Sequence, residues 1–347
     1  MNKNPVSAVI GVLIVCLVVA NFFIYSRIFD DTIPEAHYTS VSTDGGALPN
    51  GETENSGAPD AGTDAVGAKP MNTLPPDYKY ITAGTADTKS GTLILVNGAH
   101  PFVFDNRPGA FGVGENTSVY YAKTGSYSVR DINVSMNEEA ITALNDMLDA
   151  FSAVQGGKKS IIITQGLRSY DEQQEMLELK IAQLGENQTI AQKPGFSEHH
   201  TGYAMDISLY IDSVMDTFTG EGEYAWIFEN AHKYGFVLRY PADKEAVTGI
   251  SYESWHFRYV GVPHAEYMYK NNLTLEEYVD TLALYPFESA HLSVTDEVSG
   301  AEYEIYSVPV SAEGVQVPVP SVSDGSVEYS LSGDNNGHVI VTVKKAA

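Results

Sequence analysis

Two short stretches of the sequence place histidines among acidic and aromatic residues. The first, residues 194–206, contains His199 and, seven positions later, Asp206. On a continuous helix these two side chains would lie about 10 Å apart along the axis, which is too far to share a metal ion. Gly202 lies between them and permits a turn that brings both side chains inward. The first stretch therefore offers one imidazole and one carboxylate as metal ligands.

The second stretch, residues 253–258, places Glu253 three residues before His256 and next to Trp255. The two stretches together offer two imidazoles and one carboxylate as ligands, with a second carboxylate as a base. Catalytic zinc needs three protein ligands, an open position for water and a general base. Bound zinc lowers the pKa of water towards 7, and Glu253 would take its proton. On spacing alone, a lone His or a Trp-His pair belongs more often to a core or to a surface than to a metal site.

Three motifs, separated by loops and other elements, occur in a fixed order along the chain. They are Gly166-Leu167-Arg168-Ser169-Tyr170-x-x-Gln173, Ser197-Glu198-His199-x-x-Gly202-x-Ala204-x-Asp206 and Glu253-x-Trp255-His256. Their order and spacing resemble the VanY-type D-alanyl-D-alanine carboxypeptidases, in the group of zinc peptidases that includes lysostaphin, the D-Ala-D-Ala peptidases and the hedgehog domain. The resemblance covers about residues 93–284. It implies an α+β fold of the hedgehog/D-Ala-D-Ala peptidase type.

Carried over residue by residue, the resemblance implies a zinc-dependent carboxypeptidase. His199, Asp206 and His256 would bind Zn2+, and Glu253 would be the catalytic base. The implied reaction removes the C-terminal D-alanine from peptidoglycan stem peptides by attack of zinc-activated water. LD-carboxypeptidase, dipeptidase or endopeptidase action on the same wall peptides is an open alternative, as is a non-catalytic wall-binding module. The presence of a base beside three ligands favours an enzyme.

The resemblance also implies substrate contacts. Arg168 would hold the substrate carboxylate or the polarised peptide carbonyl, because a fixed guanidinium suits both tasks. Gln173 and Ser197 would be polar contacts to the substrate terminus; alternatively, Gln173 is a solvated helix residue and Ser197 caps a turn. The motif register favours His199 over the adjacent His200 as the ligand. His264 is predicted to lie on the polar side of a helix start.

The elements that must position these residues are short strands and capped helices. Predicted strands are 92–96, 160–164, 205–211 and 236–239, with a hairpin over 119–129. Helices are predicted after the capping boxes of Ser135 with Glu138, Ser169 with Glu172 and Thr274 with Glu277, and over 224–234. The loose alternation of strands and helices predicts an α+β fold. Beyond residue 285, β-type runs at 303–310, 315–319, 327–331 and 339–343 predict a small all-β appendage.

Composition excludes several classes of protein. The 347 residues include 20 Lys plus Arg against 45 Asp plus Glu, a formal net charge of −25, and a single Cys. Such a charge repels the phosphates of nucleic acids, so no nucleic-acid partner is expected. One Cys permits neither an intramolecular disulfide nor a thiolate zinc site, so a metal would need His and carboxylate ligands.

The N-terminal part predicts attachment to a membrane. Residues 6–25 are 20 uncharged, mainly apolar residues, about the length that crosses a bilayer. A cleaved signal peptide is the alternative. Lys3 precedes the run, which predicts a cytoplasmic N-terminus and a catalytic domain on the cell-wall side. The predicted organisation is a cytoplasmic tip and transmembrane anchor (1–27), a disordered acidic stalk (28–77), the zinc carboxypeptidase domain (78–287) and a β-rich region (288–347). The oligomeric state is not predicted.

Overall fold

The computed structural model describes residues 74–104, 114–321 and 327–345, all within one compact unit, residues 68–347. The strands of the described residues are β1 (Tyr78–Ala83), β2 (Asn116–Ser118), β3 (Ser128–Val129), β4 (Ser135–Asn137), β5 (Ile161–Gln165), β6 (Ala204–Ile211), β7 (Val214–Thr217), β8 (Phe236–Tyr240), β9 (Glu253–Tyr259), β10 (Leu292–Thr295), β11 (Glu302–Pro309), β12 (Val315–Pro320), β13 (Glu328–Gly333) and β14 (His338–Lys344). The α-helices are α1 (Val119–Ala122), α2 (Glu138–Val154), α3 (Tyr170–Leu184), α4 (Ala225–Asn230), α5 (Glu245–Thr248), α6 (Val262–Lys270) and α7 (Leu275–Leu282). The mixture of strands and helices confirms the predicted α+β class.

A mixed sheet carries the residues of interest. Its strand order is β3-β5-β6-β9-β8, with β7 pairing to the outer part of β6. The β3–β5 pair is parallel, and the other pairs are antiparallel. The register sets Asp206 of β6 opposite His256 of β9, and Tyr240 of β8 opposite Glu253 of β9. Residues far apart in sequence therefore meet at one place in the sheet.

Helices α2 and α3 have contrasting faces. Helix α2 buries Ile141, Leu144 and Phe151 in the same hydrophobic cluster as the sheet, because these residues recur at helical spacing. Its N-cap is Asn137 rather than the predicted Ser135, which lies in β4. Helix α3 begins with the predicted capping box of Ser169. Within α3 only one side chain is buried, that of the polar Gln173, so α3 meets a polar part of the molecule.

The C-terminal strands share a core with the preceding helices. Strands β10, β11, β14 and β13 form a four-stranded antiparallel sheet, and β12 pairs with β1. One hydrophobic cluster joins Leu93, Val260 and Leu275 to Ile305 of β11 and Ile340 of β14. Residues on both sides of position 287 therefore lie in one packed interior.

Two predicted elements are wrong. Residues 92–96 form a buried loop rather than a strand. Arg258 Nη2 donates to the carbonyls of Thr92 (2.8 Å) and Ile94 (3.1 Å), and Leu95 N–H donates to the carbonyl of Asp334 (3.1 Å). Side chains and a distant turn thus satisfy backbone groups that a sheet would otherwise satisfy. The predicted hairpin over 119–129 is instead helix α1 followed by β3, which pairs in parallel with β5.

The predicted localisation as a single-pass membrane protein is contradicted. Across the three described stretches, no helix is both long enough and apolar enough to span a membrane. The predicted anchor, residues 6–25, lies outside the described residues, as does the predicted stalk up to residue 73. The membrane localisation is therefore not retained.

Candidate active site

His199, Asp206 and His256 converge where strand β6 pairs with strand β9. His199 lies on a 3-10 turn, Glu198–Thr201, directly before β6. Its Nε2 lies 3.4 Å from Asp206 Oδ2, and His256 Nδ1 lies 3.1 Å from Asp206 Oδ1. One ligand atom from each of the three residues lies within 4.8 Å of the other two. Two imidazole nitrogens and one carboxylate at this spacing are the donor set of a catalytic zinc site.

Gly202 makes this convergence possible. It ends the 3-10 turn with a φ of 73°, in the left-handed region that favours glycine. A Cβ at this position would collide with the side chain of Asn116. The chain reverses here, so that His199 before the turn and Asp206 in the strand after it face the same space, as the sequence predicts.

The hydrogen bonds of the two imidazoles orient their ligand atoms. His199 Nδ1 donates to the carbonyl of Gly166 at 2.7 Å, which leaves Nε2 unprotonated towards Asp206. His256 turns Nδ1 towards Asp206, and its Nε2 lies 3.5 Å from Oε2 of the buried Glu198. Within the described residues, His256 Nε2 and Glu198 Oε2 are both buried and have no hydrogen-bond partner. A carboxylate behind an imidazole fixes the ring and raises its basicity as a ligand, so the residues fit zinc.

The charges at this position favour a cation. Burial opposes ionisation of Asp206, but His199 and His256 hold its pKa well below the usual range. Burial and the nearby Arg168 lower the pKa of His199 to about 4, so its ring is neutral at pH 7. For His256, burial lowers the pKa, but the neighbouring carboxylates of Asp206 and Glu198 outweigh it and raise the pKa to about 9. The negative charge that attracts a proton to His256 equally attracts a metal ion.

Glu253 is a buried carboxyl group beside the three residues. Its Oε2 lies 3.7 Å from His256 Nδ1. Burial raises the pKa of Glu253 to about 8, although the positive charges of His256, Arg168 and Lys180 lower it. A carboxyl group with a pKa near neutrality can accept a proton and return it within one reaction. Lys180 of α3 was not singled out from the sequence.

Arg168 and Gln173 form a pair on the other side of the site. Arg168 Nη2 lies 4.0 Å from Asp206 Oδ2, and its Nη1 donates to Gln173 Oε1 at 2.7 Å. Gln173 Nε2 donates in turn to the carbonyl of Gln192 at 2.7 Å. Gln173 is therefore buried and holds the guanidinium, and it is not a solvated helix residue.

Ser197, His200 and His264 have different surroundings. Ser197 is buried immediately before the 3-10 turn, and its side chain makes no capping hydrogen bond there. His200 is also buried, and both of its ring nitrogens are hydrogen-bonded to backbone groups. His264 is not on a polar helix face as predicted. It is buried, where Nδ1 contacts the Tyr278 hydroxyl (2.7 Å) and Nε2 contacts Thr342 Oγ1 (3.0 Å).

Sequence reasoning missed a buried ion cluster behind His256. Glu198 Oε1 accepts hydrogen bonds from Arg239 Nε (2.8 Å) and Arg258 Nη1 (3.0 Å). Arg239 also donates twice to Glu276, at 2.8 and 2.6 Å. Both arginines lie in strands whose other residues are mostly apolar or aromatic, so their charges require a buried carboxylate. That pattern predicts a buried carboxylate partner, but it does not identify Glu198 among the acidic residues of the chain.

The chain is similar to known proteins in family, in sequence and in structure. A family model described as D-alanyl-D-alanine carboxypeptidase (VanY) matches residues 133–262. A D-alanyl-D-alanine carboxypeptidase of Enterococcus faecium is 36% identical over 253 residues, covering 73% of this chain and 75% of that protein. A bifunctional D-Ala-D-Ala dipeptidase and carboxypeptidase of Enterococcus gallinarum is 40% identical over 134 residues, covering 37% of this chain and 70% of that protein. The structure of the vancomycin-resistance D,D-dipeptidase VanXYg, bound to a phosphinate analogue of D-Ala-D-Ala, matches with a TM-score of 0.65 at 30% identity, covering 77% of this chain and 99% of that one.

Proposed function

This chain belongs to the VanY family of D-alanyl-D-alanine carboxypeptidases, and we propose that it removes the C-terminal D-alanine from peptidoglycan stem peptides ending in D-Ala-D-Ala. It is a hydrolase, and zinc is its cofactor. We assign the zinc ligands to His199, Asp206 and His256. The non-catalytic alternative is not retained, because the relatives are peptidases and this chain has a base beside the ligands.

The observation that carries the proposal is the position of Glu253 and Arg168 around one group of ligands. Glu253 lies 3.7 Å from His256, and Arg168 lies 4.0 Å from Asp206. A base and a fixed cation beside a metal suit hydrolysis of a peptide bond close to a free carboxylate. This arrangement favours an exopeptidase, because the cation can hold the terminal carboxylate of the substrate.

The mechanism assigns one task to each side chain. A zinc ion held by His199, Asp206 and His256 would supply a Lewis acid for the scissile carbonyl and would lower the pKa of water. Arg168 binds the substrate carboxylate or the developing oxyanion, with its plane fixed by Gln173. Glu253 accepts the proton of the attacking water on a carboxylate oxygen and delivers it to the nitrogen of the leaving amine. The peptide C–N bond breaks, and the product leaves as free D-alanine.

The first test uses three defined substrates. The full-length protein is incubated with a stem pentapeptide ending in D-Ala-D-Ala, a stem tetrapeptide ending in one D-alanine, and free D-Ala-D-Ala. Mass spectrometry follows the products. Release of one D-alanine from the pentapeptide is expected. Preferential hydrolysis of the tetrapeptide would replace the proposal with an LD-carboxypeptidase, and preferential hydrolysis of the free dipeptide would replace it with a dipeptidase.

The second test addresses the mechanism. Glu253→Gln should lower kcat by about 100-fold or more, because a positioned general base contributes that much, while the zinc content stays unchanged. A chelator should abolish wild-type activity, and added zinc should restore it. Glu229→Gln, which removes an exposed carboxylate from α4, is the matched control and should leave activity unchanged. Full activity of Glu253→Gln would refute the role assigned to Glu253.

A further inference from the structure

His200 is a second buried histidine directly beside the ligand His199. Its Nδ1 lies 2.7 Å from the carbonyl oxygen of Arg168, and its Nε2 accepts a hydrogen bond from the N–H of Gly195 at 2.9 Å. A carbonyl oxygen can only accept and a backbone N–H can only donate. The ring therefore carries its proton on Nδ1 and is neutral. Both nitrogens are committed to the backbone, so neither faces the zinc ligands.

The two hydrogen bonds of His200 join two separate segments. One segment contains Arg168, immediately before α3. The other is the turn at Gly195 that leads into the 3-10 turn carrying His199. The backbone of Arg168 is held a second time, because its N–H donates to the carbonyl of His199 at 3.1 Å. The dipeptide His199-His200 thus fixes the Arg168 main chain on both sides of its Cα.

Two aromatic residues cover the outer side of the His200 ring. The ring centroids of Phe104 and Phe102 lie 4.8 and 5.8 Å from that of His200. Phe102 N–H also donates to the carbonyl of Gly195. The covering rings exclude water, and a hydrogen bond shielded from water holds its geometry more firmly. His200 is consequently held on its polar side by two hydrogen bonds and on its outer side by two aromatic rings.

We infer that His200 is a positioning residue, which acts on the substrate through Arg168 by fixing the backbone from which the guanidinium extends. This inference rests on the proposed function and on the first of the two roles given there to Arg168, binding of the substrate carboxylate. A displaced guanidinium binds that carboxylate less well, so the loss should fall mainly on KM. Zinc binding should persist, because both ring nitrogens of His200 contact backbone groups only.

The test compares two polar variants in the full-length protein. In His200→Asn the side-chain amide reaches the position of Nδ1 and retains the bond to Arg168. In His200→Gln the side-chain amide reaches the position of Nε2 and retains the bond to Gly195. We expect near-wild-type KM for His200→Asn and a KM raised about tenfold for His200→Gln, the effect of about 1.4 kcal/mol of lost binding.

Two further measurements separate positioning from other roles. Zinc content should stay at the wild-type value in both variants and fall in His199→Ala. In the Arg168→Ala background, His200→Gln should add almost nothing to KM, because the residue through which it acts is already absent.

The inference fails if both variants have wild-type KM, if both raise KM equally, or if their effects add to that of Arg168→Ala. Loss of zinc from His200→Gln would also overturn it, since His200 would then support the metal. An inactive wild-type protein would refute the proposed function instead. The two failures are therefore distinguishable.

Discussion

At the scale of single residues, Glu198 lies between the proposed zinc ligand His256 and two buried arginines. One carboxylate oxygen accepts hydrogen bonds from Arg239 and Arg258, and the other faces Nε2 of His256. Burial opposes its charge, but the two arginines hold the pKa of Glu198 well below the usual range, so it stays ionised. Glu198 therefore orients a proposed zinc ligand and pairs with two buried cations at once.

Replacing Glu198 should be costly. Glu198→Gln leaves Arg258 buried without its carboxylate partner, and removing one partner of a buried ion pair destabilises by about 3–5 kcal/mol. We expect a loss of that size in the free energy of unfolding, measured by urea denaturation. The control is Glu223→Gln, which breaks the exposed pair with Lys158 and should cost less than about 1 kcal/mol. Equal losses in the two variants would contradict this account.

The residues proposed to do the chemistry could be predicted from the sequence, but the residues that support them could not. His199, Asp206, Glu253 and His256 occur in motifs, so a resemblance identifies them without any knowledge of packing. The partners of Glu198 lie 41 and 60 residues further along the chain. No local spacing connects them, and only the sheet brings them together.

At the scale of elements, the antiparallel register and one turn determine the site. The β6–β9 pairing sets Asp206 opposite His256, and the turn at Gly202 brings His199 back beside both residues. Successive residues of a strand point to opposite faces, so a shift by one residue would turn Asp206 away from His256. The proposed ligand set thus depends on β-pairing as much as on residue type.

Gly202→Ala tests the turn. The variant combines a left-handed backbone, which costs about 1–2 kcal/mol for a non-glycine residue, with a collision against Asn116. We expect a loss of more than about 2 kcal/mol in unfolding free energy, together with reduced zinc content. Gly249→Ala is the control, because Gly249 has a similar φ of 71° and nothing within 4 Å of the added Cβ. If the two variants behave alike, the contact with Asn116 is unimportant.

The elements that could be predicted are those with a local cause. Helix α3 begins at its capping box because Ser169 and Glu172 satisfy backbone groups within one turn. The loop at residues 92–96 has the composition of a strand, but its partners are Arg258 and the turn at Asp334. Composition predicts that such a segment is buried, but it does not show which groups form hydrogen bonds with the backbone of the segment.

At the scale of the whole molecule, the C-terminal sheet and the helices before it share one hydrophobic cluster. Leu275 of α7 and Ile340 of β14 are both fully buried there. The hydrogen-bonded series of Tyr278, His264 and Thr342 crosses the same boundary. The proposed division after residue 287 is therefore not expected to separate two parts that fold independently.

Truncation tests this expectation. A chain ending at residue 287 would expose Leu275 and its neighbours, and burying one leucine side chain contributes about 1.5–3 kcal/mol. We expect the truncated chain to lack a cooperative thermal transition, followed by circular dichroism, whereas the full chain unfolds in one step. An unchanged melting temperature after truncation would show that the catalytic part folds alone.

The buried loop at residues 92–96 also bears on the order in which the protein is made. Leu93 N–H donates to Ser332 Oγ, a residue 239 positions further along the chain. During synthesis the ribosome releases this apolar segment long before its cover exists, and such long-range contacts form slowly. The segment therefore lacks its native cover in the growing chain, and exposed apolar surface of this kind favours aggregation until the C-terminal strands have been made.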